Sequence, residues 1–355
     1  SFGFCKAHAA AFALPTYQSS WLKTHHTAAF LAGVLTHDPG MYPKRAILDE
    51  ARQWGIQIAP IDVNLSDATY RVEKSSQSTR APYLAPNVLS SGAELKLPDA
   101  RGFAIRMALS DIDGIDSKEV KSIISGRPYL DLADFVYRSG ASRPTTESLL
   151  MIGAFDELHK LSTSDINRRD LLLHLQDLYR LAGSKSATSQ GQMSFELQPA
   201  KFEPSGLPDV TASEQVRNEI DILGMDVSSH LLEFYGDFLN KIGAVRSCDL
   251  IKHRSGTSVL VAGVKVALQT PPVRSGRRVM FLSIDDGFGC NDITFFEDKQ
   301  ADFATVLRNS WLFLVRGEIR RTGPRGISLL GTGAWELANS HEKWRNLAVY
   351  GASAT

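Results

Sequence analysis

The chain has 355 residues, 43% of them hydrophobic and 22% charged, which is the balance of an ordinary soluble protein with enough length for two or three cored domains. Lys and Arg total 39 and so do Asp and Glu, so any nucleic-acid partner has to be met by local basic patches rather than by net charge. Three widely separated cysteines, Cys5, Cys248 and Cys290, exclude a disulfide framework and a paired-cysteine zinc site and fit a reducing cytoplasm, and no apolar run reaches bilayer-spanning length.

Residues 1–60 have helical periodicity, with Ala13, Tyr17, Trp21, Leu22, Phe30, Leu31, Val34 and Leu35 three or four positions apart. Pro15 predicts a kink or restart in the first helix, Pro39-Gly40 breaks the pattern, and a second amphipathic helix over 42–54 stops at Gly55. A short extended segment follows at 56–64. Residues 70–100 are polar and rich in Ser, Pro and Gly and read as loop, whereas 101–109 suggests a strand. Short helices return over 110–158 and a longer one over 165–181 ends at Gly183. Residues 184–213 form a Ser/Gln/Gly/Pro linker, 214–224 a short helix and 230–256 another small helical piece. Beyond 257 the period changes to two. Five strands are expected, over 259–268, 278–285, 291–296, 311–319 and 326–330, with an amphipathic helix over 298–307 after the third. That order describes an OB-fold, a small Greek-key barrel that often binds single-stranded nucleic acid. The last twenty residues read as polar and loosely organised.

The opening stretch carries Phe4, Lys6, His8, Ala9, Ala10, Phe12, Ala13 and Leu14, then Tyr17, Trp21, Leu22, Lys23, His25, Ala28, Ala29 and Phe30. This pattern resembles the fingers region of the bacterial DNA polymerase III alpha subunit, a C-family polymerase, with Phe12 in place of a tyrosine. Asp62-Val63-Asn64-x-Ser66 resembles the same family. The resemblance implies an α+β multidomain chain: a fingers-like region (1–107), a helix-hairpin-helix region (108–183), a linker with a degenerate clamp-binding box (184–213), a helical connector (214–256), an OB-fold (257–338) and a tail (339–355). It implies that Lys6 and His8 face the incoming nucleotide or template. Without it, Lys6 reads as solvated and His8 as a helix-end residue.

Residues 109–124 resemble a helix-hairpin-helix, in which a Gly-hydrophobic-Gly turn offers backbone N–H groups to a DNA phosphate. Gly114 supplies the turn and Ile115 its hydrophobic residue, with Lys118 and Lys121 on the following helix. Asp116 replaces the second glycine, where it either repels phosphate or caps the helix. In the linker, Gln190, Met193 and Phe195 resemble a sliding-clamp box interrupted by Ser194. In the barrel, Arg274, Arg277 and Arg278 fall in the first hairpin and Arg320, Arg321 and Arg325 around the last, beside Arg316. With Phe281, Phe295, Phe296 and Phe313 on strands, this suits backbone tracking plus base stacking, unless the phenylalanines are core.

No carboxylate pair sits in a palm-like context: Asp111 and Asp113 fall in the hairpin, and Asp285-Asp286 ends a strand. Two Mg²⁺ ions would serve the full polymerase, yet neither a cofactor nor a metal ligand is read in this chain, and His25-His26 is no metal pair. The expectation is a DNA-binding C-terminal part of a DNA-directed DNA polymerase, inactive alone. Its partners would be primer-template and single-stranded DNA, the sliding clamp and an upstream palm and PHP part. If the chain comes from the error-prone paralogue, to which the degenerate clamp box and short tail point, mutagenesis accessory proteins join them. The competing expectation is a free-standing, non-enzymatic helix-hairpin-helix plus OB protein that binds single-stranded nucleic acid, DNA or RNA.

Overall fold

The computed structural model describes residues 5–40, 42–76, 100–186, 204–271, 279–321, 323 and 326–352. Their contacts divide the chain into two compact units. One comprises Ser1–Asp38, Ile56–Thr79 and Ala100–Ser228; the other comprises Pro39–Gly55, Arg80–Asp99 and Ser229–Thr355.

The first unit begins with α1 (Lys6–His25) and α2 (Thr27–His37). Pro15 lies inside α1 and does not interrupt it. The expected restart is absent: a proline removes one N–H, and in an exposed helix water can satisfy the carbonyl left over. No residue of α1 is buried: Phe12, Leu14, Tyr17, Trp21 and Leu22 are all exposed. In α2, by contrast, Thr27, Ala28, Leu31, Ala32 and Leu35 form an inner stripe. It packs on a three-stranded sheet of β1 (Gln57–Ala59), β2 (Arg71–Lys74) and β3 (Phe103–Arg106). The order is β1-β3-β2, parallel between β1 and β3 and antiparallel between β2 and β3. Arg106 on β3 holds Glu73 on β2 with two bonds of 2.7 and 2.9 Å.

The helices α4 (Ser117–Ser125), α5 (Leu132–Arg138), α6 (Arg143–Met151), α7 (Asp156–His159), α8 (Arg168–Ser186) and α9 (Ala212–Leu223) complete this unit. α8 runs through Gly183, past the expected stop. Its core is aromatic: the Phe135 and Phe155 rings meet edge-on at 5.0 Å, and Tyr129 meets Phe135 at 4.8 Å.

The second unit holds α3 (Lys44–Gln53), α10 (Gly236–Lys241) and 3-10 turns at Leu231–Tyr235 and Ser247–Lys252. It also holds a closed barrel of β4 (Ser258–Gln269), β5 (Met280–Asp285), β6 (Cys290–Phe295), β7 (Leu312–Arg321) and β8 (Ile327–Glu336). The barrel order is β4-β5-β6-β8-β7, with β6 and β8 parallel and every other pair antiparallel. α11 (Glu297–Asn309) follows the third strand. This is an OB-fold, so the chain is α+β with a helical part followed by a five-stranded barrel. Alternation along the strands sends Val261, Leu282, Ile284, Ile293, Phe295, Phe313 and Val315 inward, and Leu307 of α11 joins them. Close packing makes glycine necessary at 331, where a Cβ would enter the Phe295 ring.

The C-terminal segment is no loose tail. It forms α12 (Leu337–Ala352), with Leu337 fully buried and Trp344 packed beside Phe238 of α10. Leu337, His341 and Trp344 stand at helical spacing, a signal masked by the polar residues between them.

Candidate functional site

The motif Asp62-Val63-Asn64-x-Ser66 is a structural clamp. Asp62 Oδ1 accepts the N–H groups of Asn64 and Leu65 at 2.7 and 3.0 Å, closing an Asx turn. The Asn64 side chain then mimics a strand edge. Its Oδ1 accepts from Tyr129 N–H at 2.8 Å, and its Nδ2 donates to Tyr129 O at 3.0 Å. Arg127 adds a 2.7 Å bond to Val63 O. These groups fasten the turn after β1 to the segment after α4.

At the hairpin, Gly114 takes φ +76°, so the turn uses the left-handed conformation that glycine permits. Ile112 is buried there at 3% exposure, while Ile115, the residue expected to fill that role, is half-buried. Lys118 and Lys121 are exposed. Of the two roles open to Asp116, the structure shows the cap. Its carboxylate accepts from Lys118 N–H, and Glu119 reaches back to Asp116 N–H in a capping box. Glu119 does more. Its Oε1 accepts Ser142 N–H at 2.7 Å and its Oε2 accepts the Thr145 hydroxyl at 3.0 Å, both at the start of α6. One carboxylate thus serves the N-termini of α4 and α6. Burial works to raise its pKa, but these donors outweigh it and hold the carboxyl below the usual range.

Lys6 and His8 occupy the first turn of α1, both exposed, with the His8 ring against Phe12 at 4.5 Å. Gln190, Met193, Phe195, Arg274, Arg277, Arg278 and Arg325 lie outside the described residues.

On the barrel the phenylalanines divide by strand parity. Phe295 and Phe313 are fully buried core, whereas Phe281 and Phe296 are 42% and 41% exposed on the outer surface. Met280 pairs with Phe295 and Phe281 with Thr294, and Phe296 follows directly on β6 as the residue before α11. Arg320 is exposed on β7, and Arg321 donates to Ile251 O and His253 O, at 2.5 and 2.8 Å. Two further surface features went unread in the sequence. Trp335 lies under the Arg316 guanidinium at 5.7 Å, and Trp311 under that of Arg45 at 5.7 Å. A lone Trp and a distant Arg give no sign in sequence that register will join them; Arg316 pairs with Gly333, two residues from Trp335.

Unforeseen as well is a buried polar cluster in the barrel unit. Asp49 of α3, His230 at the head of a 3-10 turn and Asp285 at the end of β5 are 0%, 6% and 1% exposed, with ligand-type atoms within 4.8 Å of one another. Burial, then the nearby Asp49 charge, drives the Asp285 carboxyl up to about 7. The neighbouring Asp286 is wholly engaged, accepting from Ser247 N–H and its hydroxyl at 2.6 Å each and from Phe288 and Gly289 N–H groups. Asp285-Asp286 therefore does not suit a catalytic Mg²⁺ pair.

Residues 55–170 match the helix-hairpin-helix motif family. The error-prone DNA polymerase of Symbiobacterium thermophilum is 33% identical over 323 residues, 84% of this chain and 28% of that protein. That of Bdellovibrio bacteriovorus is 30% identical over 91% of this chain and 29% of its own length. The DNA polymerase III subunit alpha of Pasteurella multocida is 26% identical over 90% of this chain and 26% of its own. The chain thus spans well under a third of each of these three curated relatives. Among solved structures, the mitochondrial single-stranded DNA binding protein Rim1 of S. cerevisiae aligns with 23% of this chain and 95% of its own, at 18% identity and a TM-score of 0.20, too low to argue from.

Proposed function

We propose that this chain, similar over most of its length to bacterial error-prone DNA polymerases and DNA polymerase III alpha subunits, is the DNA-holding C-terminal part of such a polymerase. The observation that carries this reading is the exposure of Phe281 on β5 and of Phe296 at the residue that follows β6, the strand paired with β5. Two large apolar rings exposed on adjoining segments of the barrel are costly in water and suit the base stacking of single-strand binders. Arg320 and the outlying arginines Arg274, Arg277, Arg278 and Arg325 would track the phosphates, with Arg321 steadying the loop beside them.

In this reading the hairpin at Gly114 positions DNA through Lys118 and Lys121 rather than through the α4 N-terminus, which Asp116 and Glu119 already fill. Lys6 and His8 would meet nucleotide or template from α1. An upstream palm part would cover the exposed apolar residues of α1, and it would supply the carboxylates for Mg²⁺ and nucleotidyl transfer. Gln190, Met193 and Phe195 would be a weak clamp contact, and accessory mutagenesis proteins would be partners in an error-prone enzyme working in the cytoplasm. Among the described residues no helix is long and apolar enough to cross a membrane.

Fluorescence anisotropy with a labelled oligonucleotide tests the barrel face. Phe281→Ala and Phe296→Ala are each expected to weaken single-stranded DNA binding by about 1–3 kcal/mol with the fold intact by circular dichroism. Unchanged affinity in the double variant overturns the reading. An RNA competitor as effective as DNA would favour the free-standing nucleic-acid-binding protein instead.

A further inference from the structure

The cluster of Asp49, His230 and Asp285 plays no part in DNA binding as proposed, yet it is the most deeply buried group of titratable side chains in the barrel unit. His230 Nε2 lies 3.8 Å from Asp49 Oδ2 and 4.0 Å from Asp285 Oδ1. On geometry alone this is a three-ligand cation site, but its charges argue otherwise. Both ring nitrogens of His230 already face donors, Nδ1 the Leu232 N–H at 3.2 Å and Nε2 the Arg45 guanidinium at 3.3 Å. A guanidinium only donates, and it puts positive charge where a cation would have to sit.

The same atoms suit a proton well. Asp49 Oδ1 is held by Arg52 at 2.5 Å, while its Oδ2 is buried and has no hydrogen-bond partner. A buried carboxylate oxygen lacking a donor is costly, and a second charged carboxylate within 4.8 Å of it adds repulsion, which protonation of Asp285 removes. Asp285 Oδ1 accepts Gly287 N–H at 2.6 Å, and its Oδ2 faces the Cys290 thiol at 3.6 Å.

We propose that Asp49, His230 and Asp285 form a buried protonation site that latches α3 to the barrel and loosens as the pH rises and the Asp49 and Asp285 carboxylates come to face each other charged. The charged and titratable groups around it come from four elements. α3 contributes Arg45, Asp49 and Arg52, the 3-10 turn His230, the end of β5 Asp285 and Asp286, and β6 Cys290. Asp286 is occupied by Ser247 and the following turn. The Cys290 thiol, pushed up to about 12 by burial and by Asp285, stays protonated. Asp285 is therefore the group that changes. Its unfolded value is 3.8 and its folded value about 7, so between them the folded state binds a proton that the unfolded chain does not. Stabilisation from that proton is full near pH 4, falls as pH rises and is gone above about 7. α3 lies in Pro39–Gly55, which groups with the barrel although the segments before and after it, Ser1–Asp38 and Ile56–Thr79, group with the other unit. The latch thus holds the excursion by which the chain enters the barrel unit and leaves it again.

Amide hydrogen exchange of the α3 backbone at pH 6 and pH 8, corrected for intrinsic rates, tests the latch on the full chain. Protection of α3 in the wild type should fall about tenfold or more over that interval while β4 and β5 hold steady. Asp285→Asn, which keeps the acceptor for Gly287, should abolish the pH dependence, and Asp49→Asn, which removes the facing charge but not the burial, should diminish it should the first variant fail to fold. Equal protection of wild-type α3 at both pH values overturns the proposal, as does an undiminished drop in either folded variant. Protection that rises with added Zn²⁺ in the wild type but not in His230→Ala would identify a metal site and overturn it too.

Discussion

Single residues in this chain do work that their identities only half disclose. Gly331 is ordinary in sequence, yet a methyl group there meets the buried Phe295 ring. Gly331→Ala is expected to destabilise the barrel by about 1–3 kcal/mol through overpacking, read as a lower urea midpoint with an unchanged slope. Glu119 joins the starts of α4 and α6, a task no local pattern announces. Its carboxyl is held below 4.5 in the fold, so the unfolded state takes up a proton first on acidification. Its contribution is complete above the unfolded value and is lost as pH falls through the lowered folded one. Glu119→Gln should flatten that acid limb of stability, measured by thermal melts between pH 6 and 3. Asp62 and Asn64 were legible as a motif, and what the structure adds is their task, an Asx turn clamped to Tyr129.

Among the elements, those with a buried stripe and clear punctuation were readable. The five barrel strands, the helix after the third strand, α2 and α9 each carry their own period in sequence. α9 also announces itself through Thr211 and Glu214, which form a capping box. Misreadings fell where local cues conflict with context. Pro15 suggested a break that an exposed helix does not need. α12 was missed because its three packing residues, Leu337, His341 and Trp344, are spread among polar ones and are rewarded by partners distant in sequence, α10, its preceding turn and the barrel. The hairpin element carries its own prediction. Asp116→Gly removes a cap and a negative charge while restoring the second glycine of the turn. Stability should change by only a few tenths of a kcal/mol, as glycine is a tolerable cap. Duplex affinity in a gel-shift assay should tighten as the negative charge beside Lys118 and Lys121 is lost, and unchanged affinity would count against DNA contact by this hairpin.

At the scale of the whole molecule, the two contact units do not follow sequence order, since α3 groups with a barrel that begins two hundred residues later. Formal net charge is zero, so association with DNA should depend on a few local contacts. The salt dependence of single-strand binding should accordingly be shallow, with a log-log slope corresponding to only a handful of phosphates, at about −0.7 per contact. In a primer-extension assay with Mg²⁺ the chain alone is expected to add no nucleotide, and addition of the upstream part of the polymerase is expected to restore synthesis. Extension by the isolated chain would show that the catalytic carboxylates had been misplaced.

The sequence by itself determined the period of each element, the barrel with its helix after the third strand, and the kinship carried by the run from Phe4 to Phe30. Those features rest on neighbours in the chain, where backbone preferences and side-chain alternation act directly. Only the tertiary structure decided which phenylalanines face water, that Asp116 caps the helix, that Arg316 covers Trp335, and that Asp49, His230 and Asp285 meet in one buried cluster. Asp49 and Asp285 stand 236 positions apart, and nothing in the local pattern around either one records the other. Burial and the electrostatics that follow from it depend on what the fold brings alongside, so they exist only once the strands have closed and α3 has been drawn in.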